Sequence, residues 1–141
     1  MDIYKNISNI VKSRGNLYES LTSILTYINN IEIDTTLYPV IENNYTKYTI
    51  YQDNLIEVIV IAWDIDVITG YHKHPKNGCI LKVLNGKLTE SVLLENKINN
   101  KKIIKNSISY IDDKIGIHSI KSLDISYTLH IYSPPGFYNE I

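Results

Sequence analysis

Ile3, Ile7, Ile10 and Val11 recur at helical spacing until Gly15, which predicts a first short helix. Asn16 follows as an N-cap with Glu19 three residues on, a capping-box arrangement, and Leu17, Leu21, Ile24, Leu25 and Ile28 form one apolar stripe that ends at Asn29-Asn30. From residue 37 the period changes. Short β-branched or aromatic runs predict strands at Tyr45–Gln52, Leu55–Trp63, Tyr71–His74, Cys79–Leu84, Lys87–Leu94, Lys101–Ile104, Ile108–Ile111, Ile117–Lys121 and Ser126–Tyr132. Turn signals at Asp53-Asn54, Asn77-Gly78, Asn85-Gly86 and Asn99-Asn100 separate them, and Asn85-Gly86 predicts a tight hairpin. Many short strands at this spacing suggest a sandwich or barrel. The expected architecture is mainly β, with a helical front end (1–30) packed on an antiparallel barrel (37–135) in one domain over 1–141.

Composition narrows the function classes. The 141 residues carry a formal charge of −1, without the basic footprint of a nucleic-acid binder. No apolar run is long enough to span a membrane, and Met1 to Arg14 lacks a signal-type apolar segment, so a cytoplasmic protein is expected. A single cysteine excludes an intrachain disulfide. Ile occurs 26 times and Lys 13, against one Ala and one Arg, a bias that makes Lys and Ile weak signals. The rare residues say more: all four histidines, Cys79 and Trp63 fall after residue 62.

His72-Lys73-His74 is a His-x-His pair. On a strand, residues i and i+2 share a face roughly 6.6 Å apart, close enough for both imidazoles to bind one metal ion. His118, after the turn Asp112 to Gly116, can supply a third nitrogen. Imidazole suits Fe, Zn, Cu and Ni alike, and two surface histidines with an unrelated third would give the same spacing. A second cluster, Thr128-Leu129-His130-Ile131-Tyr132, alternates strictly. Its hydroxyl, imidazole and phenol share one face and can form a hydrogen-bond relay if that face is buried, or line the outside if it is not.

The segment Tyr45 to Pro135, about two-thirds of the chain, resembles cysteine dioxygenase, a thiol dioxygenase of the cupin superfamily. The family's His-Asp-His corresponds to His72-Lys73-His74 and its Gly-Leu-His to Gly116-Ile117-His118. Its Ser-Leu-His-Leu-Tyr-Ser-Pro-Pro matches Thr128 to Pro135, and its Cys-Phe-Leu-Lys-x-Leu-x-Gly-x-Leu matches Cys79 to Leu88. Trp63 stands where the family has a tryptophan ending the preceding strand. Most cupins have a Glu ligand five residues after the second His; the family has Cys there, as does this chain at Cys79. Two departures stand out. The family's Tyr-Thr-Arg is Tyr45-Thr46-Lys47, which keeps the charge but loses the bidentate fork. The family's chain also runs on past the matched segment and there lines part of its pocket.

The resemblance implies a mononuclear Fe(II) held by His72, His74 and His118, which adds both atoms of dioxygen to the sulfur of cysteine and yields cysteine sulfinic acid. It implies that Tyr132 donates a hydrogen bond in the site with His130 and Thr128 directing it, that Cys79 and Tyr132 form a thioether, and that Lys47, with Tyr45 and Trp63, faces the substrate. The expected partners are a small thiol and dioxygen, acting on a monomer, with no nucleic acid or membrane. A related thiol such as 3-mercaptopropionate or cysteamine, or a non-catalytic metal-binding cupin module, is the alternative.

Overall fold

The computed structural model describes residues 2–136. Helices α1 (Ile3–Arg14) and α2 (Leu17–Ile28) open the chain. Asp2 caps the first through Tyr4 and Lys5 N–H, Gly15 closes it in the left-handed region at φ 95°, and Asn16 Oδ1 accepts the Glu19 N–H to start the second. Eight strands follow: β1 (Tyr45–Gln52), β2 (Glu57–Trp63), β3 (Cys79–Asn85), β4 (Lys87–Leu94), β5 (Lys97–Ile104), β6 (Ile108–Ile111), β7 (Ile117–Ser122) and β8 (Ser126–Tyr132). They form two antiparallel sheets, ordered β1-β2-β8-β3-β6 and β5-β4-β7, in a jelly-roll arrangement. Backbone ladders do not close the two sheets into a continuous barrel. No helix among the described residues is long and apolar enough to cross a membrane.

The central strands of the larger sheet are buried on both faces, which is why β2 is apolar without a break from Val58 to Trp63. Its outer face carries Val58, Val60, Ile80, Leu129 and Ile131 against Ile7, Val11, Leu17, Ile24 and Ile28 of the helices. Each fully buried side chain of this size contributes about 1.5–3 kcal/mol, enough to dock two helices too short to persist alone. Lys82, also on this face, donates to the carbonyls of Ile28 (2.6 Å) and Asn29 (3.1 Å) and ties down the end of α2. The inner face packs Ile59, Ile61, Trp63, Leu81 and Val83 against Leu88, Ile103 and Ile120 of the smaller sheet.

Three expectations are corrected. Asn85-Gly86 is not a hairpin: β3 lies in one sheet and β4 in the other, so this turn carries the chain between layers. Gly86 is required there, because at φ 96° a Cβ would run into Ser126 Oγ and would lie 2.6 Å from the Ile125 carbonyl. Asn99-Asn100 lies within β5; the β4–β5 turn is at Glu95-Asn96, both with positive φ (50° and 65°), joining the paired Leu94 and Lys97. Tyr71–His74 forms no strand. It makes a single antiparallel bridge, His72 to His118.

Candidate metal centre

That one bridge assembles the histidines. His72 N–H donates to the His118 carbonyl at 3.0 Å, so the two residues sit directly opposite each other. The turn feeding β7 holds the third: Asp113 Oδ1 accepts the His74 backbone N–H at 2.9 Å. Gly116 (φ 143°) lets that turn press against β4, where a Cβ would come 2.6 Å from the Leu93 carbonyl. The ring centroids of His72, His74 and His118 lie 4.4 to 5.4 Å apart, and one ligand nitrogen from each falls within 4.8 Å of the others. All three are buried.

Their outer partners decide which nitrogens face inward. His72 Nδ1 donates to the Gly70 carbonyl (2.9 Å) and His118 Nδ1 to Glu90 Oε2 (2.8 Å), leaving Nε2 of each as a lone-pair donor toward the cluster. Both ring nitrogens of His74 are buried without a hydrogen-bond partner; Nδ1 is 3.4 Å from Asp113 Oδ1 in poor geometry. Among the described residues no other buried side-chain nitrogen or oxygen is left so. An orphaned imidazole between two convergent ones is costly unless a cation takes its lone pair, so the cluster fits a divalent metal. Burial, reinforced by the neighbouring His118, lowers His72 to about 4 and His74 to about 3, so both present neutral rings at pH 7.

Beside the cluster, β8 presents Thr128, His130 and Tyr132 to the interior between β2 and β3. Trp63 Nε1–H donates to Thr128 Oγ1 at 2.9 Å, and Thr128 Oγ1 is 2.7 Å from His130 Nε2. Indole donates only, so the pattern that gives each group a partner has the threonine proton on His130 Nε2 and the ring proton on Nδ1. That Nδ1 faces Tyr132 Oη at 3.4 Å and Cys79 Sγ at 4.0 Å. Burial holds His130 well below its usual value and pushes the Cys79 thiol and the Tyr132 phenol up, so all three are neutral. Cys79 and Tyr132 are direct partners in the β3–β8 ladder.

The site face of β1 carries Tyr45, Lys47 and Thr49, opposite Trp63, Ile61 and Ile59. Tyr45 packs on Trp63 with ring centroids 5.2 Å apart. Trp63 is itself almost fully buried, its N–H committed to Thr128, which places it behind the relay. The Lys47 side chain is exposed, yet its charge reaches His72, His130 and Cys79 and biases each toward its less positive form.

Over residues 2–140 the chain matches the family model for cysteine dioxygenase type I. The chain belongs to the cysteine dioxygenase type I family. Cysteine dioxygenase type 1 of Homo sapiens is 29% identical over 103 residues, covering 64% of this chain and 52% of that protein. The Danio rerio enzyme of the same name is 23% identical over 148 residues, covering 95% and 74%. The chain thus spans about half the length of the mammalian relatives it matches. Among solved structures, a cupin superfamily protein from Desulfitobacterium hafniense superposes with TM-score 0.61 at 11% identity, covering 70% of this chain and 85% of its own, so the fold is that of the cupins.

Two buried carboxylates of this cysteine dioxygenase family member were not picked out by motif. Glu90 on β4 is almost fully buried, bonded to His118 and to Ser109 Oγ (2.9 Å), with Lys101 Nζ 3.5 Å away. Burial opposes its charge, but His118, Ser109 and Lys101 together hold its carboxyl below the usual value. The signal was present in Leu88-Thr89-Glu90-Ser91-Val92, where alternation puts the carboxylate on the apolar face. Glu57, opposite Tyr132, accepts from Thr49 Oγ1 (3.2 Å) and from Gly136 N–H (2.9 Å), pinning the chain as it leaves β8.

Proposed function

We propose that the protein is a non-haem iron thiol dioxygenase that converts L-cysteine and dioxygen to cysteine sulfinic acid. The observation that carries this is the three-histidine cluster, which no carboxylate among the described residues joins, adjoining a Cys79–Tyr132 pair and the His130 relay. His72, His74 and His118 would hold Fe(II), which when bound supplies the activation of dioxygen that side chains cannot provide.

The chain's own residues bind, orient and exclude. Lys47 offers its ammonium to the substrate carboxylate as a mobile point charge. His130, protonated at Nδ1 and fixed through Nε2 by Thr128 and Trp63, donates toward the Tyr132 oxygen, and the phenol proton, which faces the Cys79 sulfur, would turn to a bound substrate. The apolar wall of Ile59, Ile61 and Leu81 keeps water from competing for that proton. Cys79 and Tyr132, as ladder partners, are suited to a thioether that would lock the phenol in place. Both oxygen atoms end on the substrate sulfur, the thiol becoming a sulfinic acid with no other product.

A single lysine in place of a guanidinium fork favours a second reading, in which the thiol is 3-mercaptopropionate or cysteamine. Oxygen uptake by the iron-loaded protein, measured with each of the three thiols, tests both. Uptake with cysteine exceeding the others supports the first reading, preference for another thiol supports the second, and no thiol-dependent uptake refutes both.

A further inference from the structure

The three histidines are not equally supported. The His72 ring leans on a neutral backbone carbonyl, the His74 ring has no hydrogen-bonded partner, and the His118 ring alone donates to a carboxylate. That carboxylate, Glu90, is 1% exposed and lies in the opposite sheet from β6, whose Ser109 hydroxyl supplies its second bond. In the β4–β7 ladder His118 pairs with Val92 and Ile120 with Glu90, so Glu90 reaches His118 diagonally along one face. Lys101, directly across the β4–β5 ladder from Glu90, brings an ammonium to within 3.5 Å of its other oxygen from an exposed strand. A divalent ion on three neutral imidazoles leaves two uncompensated positive charges in a buried site. Glu90 is the buried carboxylate hydrogen-bonded to one of those ligands.

We propose that Glu90 is the counter-charge of the metal centre, a positioning residue that acts through His118, and that Lys101 opposes it from the edge strand. This rests on the three histidines being metal ligands. The His118 Nδ1–H bond fixes the tautomer that offers Nε2 inward, and the full negative charge beyond it makes that imidazole the strongest donor of the three. The same charge favours the higher oxidation state of iron over the lower. Lys101 withdraws part of that effect, and because its side chain is solvent-exposed its share fades with added salt.

The test is Zn(II) and Fe(II) affinity, with the iron midpoint potential, for the parent, Glu90→Gln and Lys101→Met. Glutamine keeps an acceptor for His118 and removes only the charge. Glu90→Gln should weaken Zn(II) binding about 10- to 100-fold. If it weakens ferric binding ten times more than ferrous, the midpoint rises by about 59 mV. Lys101→Met should shift both quantities the opposite way, by less, and the shift should shrink in high salt. In a His118→Ala background Glu90→Gln should add little, because the two act as one unit. A Glu90→Gln protein with parental affinity and potential overturns the proposal while leaving the metal site standing. So does a Lys101→Met protein that shifts the same way as Glu90→Gln, and that exposed position decides the matter even if Glu90→Gln fails to fold. A parent that binds neither ion overturns the metal site and this proposal together.

Discussion

Cys79 lies directly opposite Tyr132 in the ladder between β3 and β8, and the His130 ring lies close to both, 4.0 Å from the sulfur and 3.4 Å from the phenol oxygen. Burial keeps thiol and phenol protonated, so neither is reactive unaided. We expect a thioether between them only after the protein has turned over with iron, thiol and dioxygen, the dioxygen taking up the two hydrogens lost. Intact-mass analysis should find a species lighter by two hydrogens after turnover, absent in Cys79→Ser and in metal-free protein. A parental mass unchanged after many turnovers contradicts this.

Much of this arrangement is legible in the sequence, and the parts that are not have physical reasons. The caps at Asn16 and Gly15 and the alternation of Thr128, His130 and Tyr132 are local, and local rules read them correctly. Asn85-Gly86 carries the right turn chemistry for a hairpin, but pairing is decided by which sheet each strand enters, and β3 finds β8 and β6 instead. Asn99-Asn100 is exposed in an edge strand where asparagine is tolerated, so a turn-forming residue type misled. His72 and His74 converge without a strand because one bridge to His118 and one bond to Asp113 suffice. Glu90 belongs to no short motif; its partners come from three other strands.

Tyr132→Phe removes the phenol hydroxyl, both a proton donor and the acceptor facing His130 Nδ1, and keeps the ring. Metal binding should be retained and turnover should fall about 10- to 1000-fold, the range for losing one positioned donor. His130→Ala should fall less, since it acts through the phenol. Steady-state kinetics on metal-quantified protein checks both; parental turnover in Tyr132→Phe makes the phenol structural.

Lys47→Ala should raise KM for cysteine and leave cysteamine, which has no carboxylate, nearly unaffected. Losing a charge-assisted hydrogen bond of about 1.5–3 kcal/mol corresponds to a drop of about 10- to 150-fold in kcat/KM for cysteine. Equal responses to the two thiols would remove Lys47 from substrate recognition.

The metal-free protein should lose stability on mild acidification. His72 and His74 are held at about 4 and about 3 by burial, against about 6.5 in an unfolded chain. Below about pH 6.5 the unfolded state therefore binds protons that the folded state refuses. The stability is fully present above that value and declines by about 1.4 kcal/mol per pH unit for each such histidine until the folded-state value is reached. Urea unfolding between pH 7 and pH 5 should display the decline in the parent and a shallower one in His72→Gln. A parental curve that is flat over this range would contradict neutral, buried imidazoles.

The central claim is that both atoms of dioxygen reach the sulfur of cysteine at this site. Turnover of the iron-loaded protein under isotopically heavy dioxygen, with mass analysis of the product, tests it most directly. We predict cysteine sulfinic acid carrying two heavy oxygen atoms, formed by the parent and not by His118→Ala. A product carrying only oxygen from water, or conversion of cysteine to cystine alone, would contradict it.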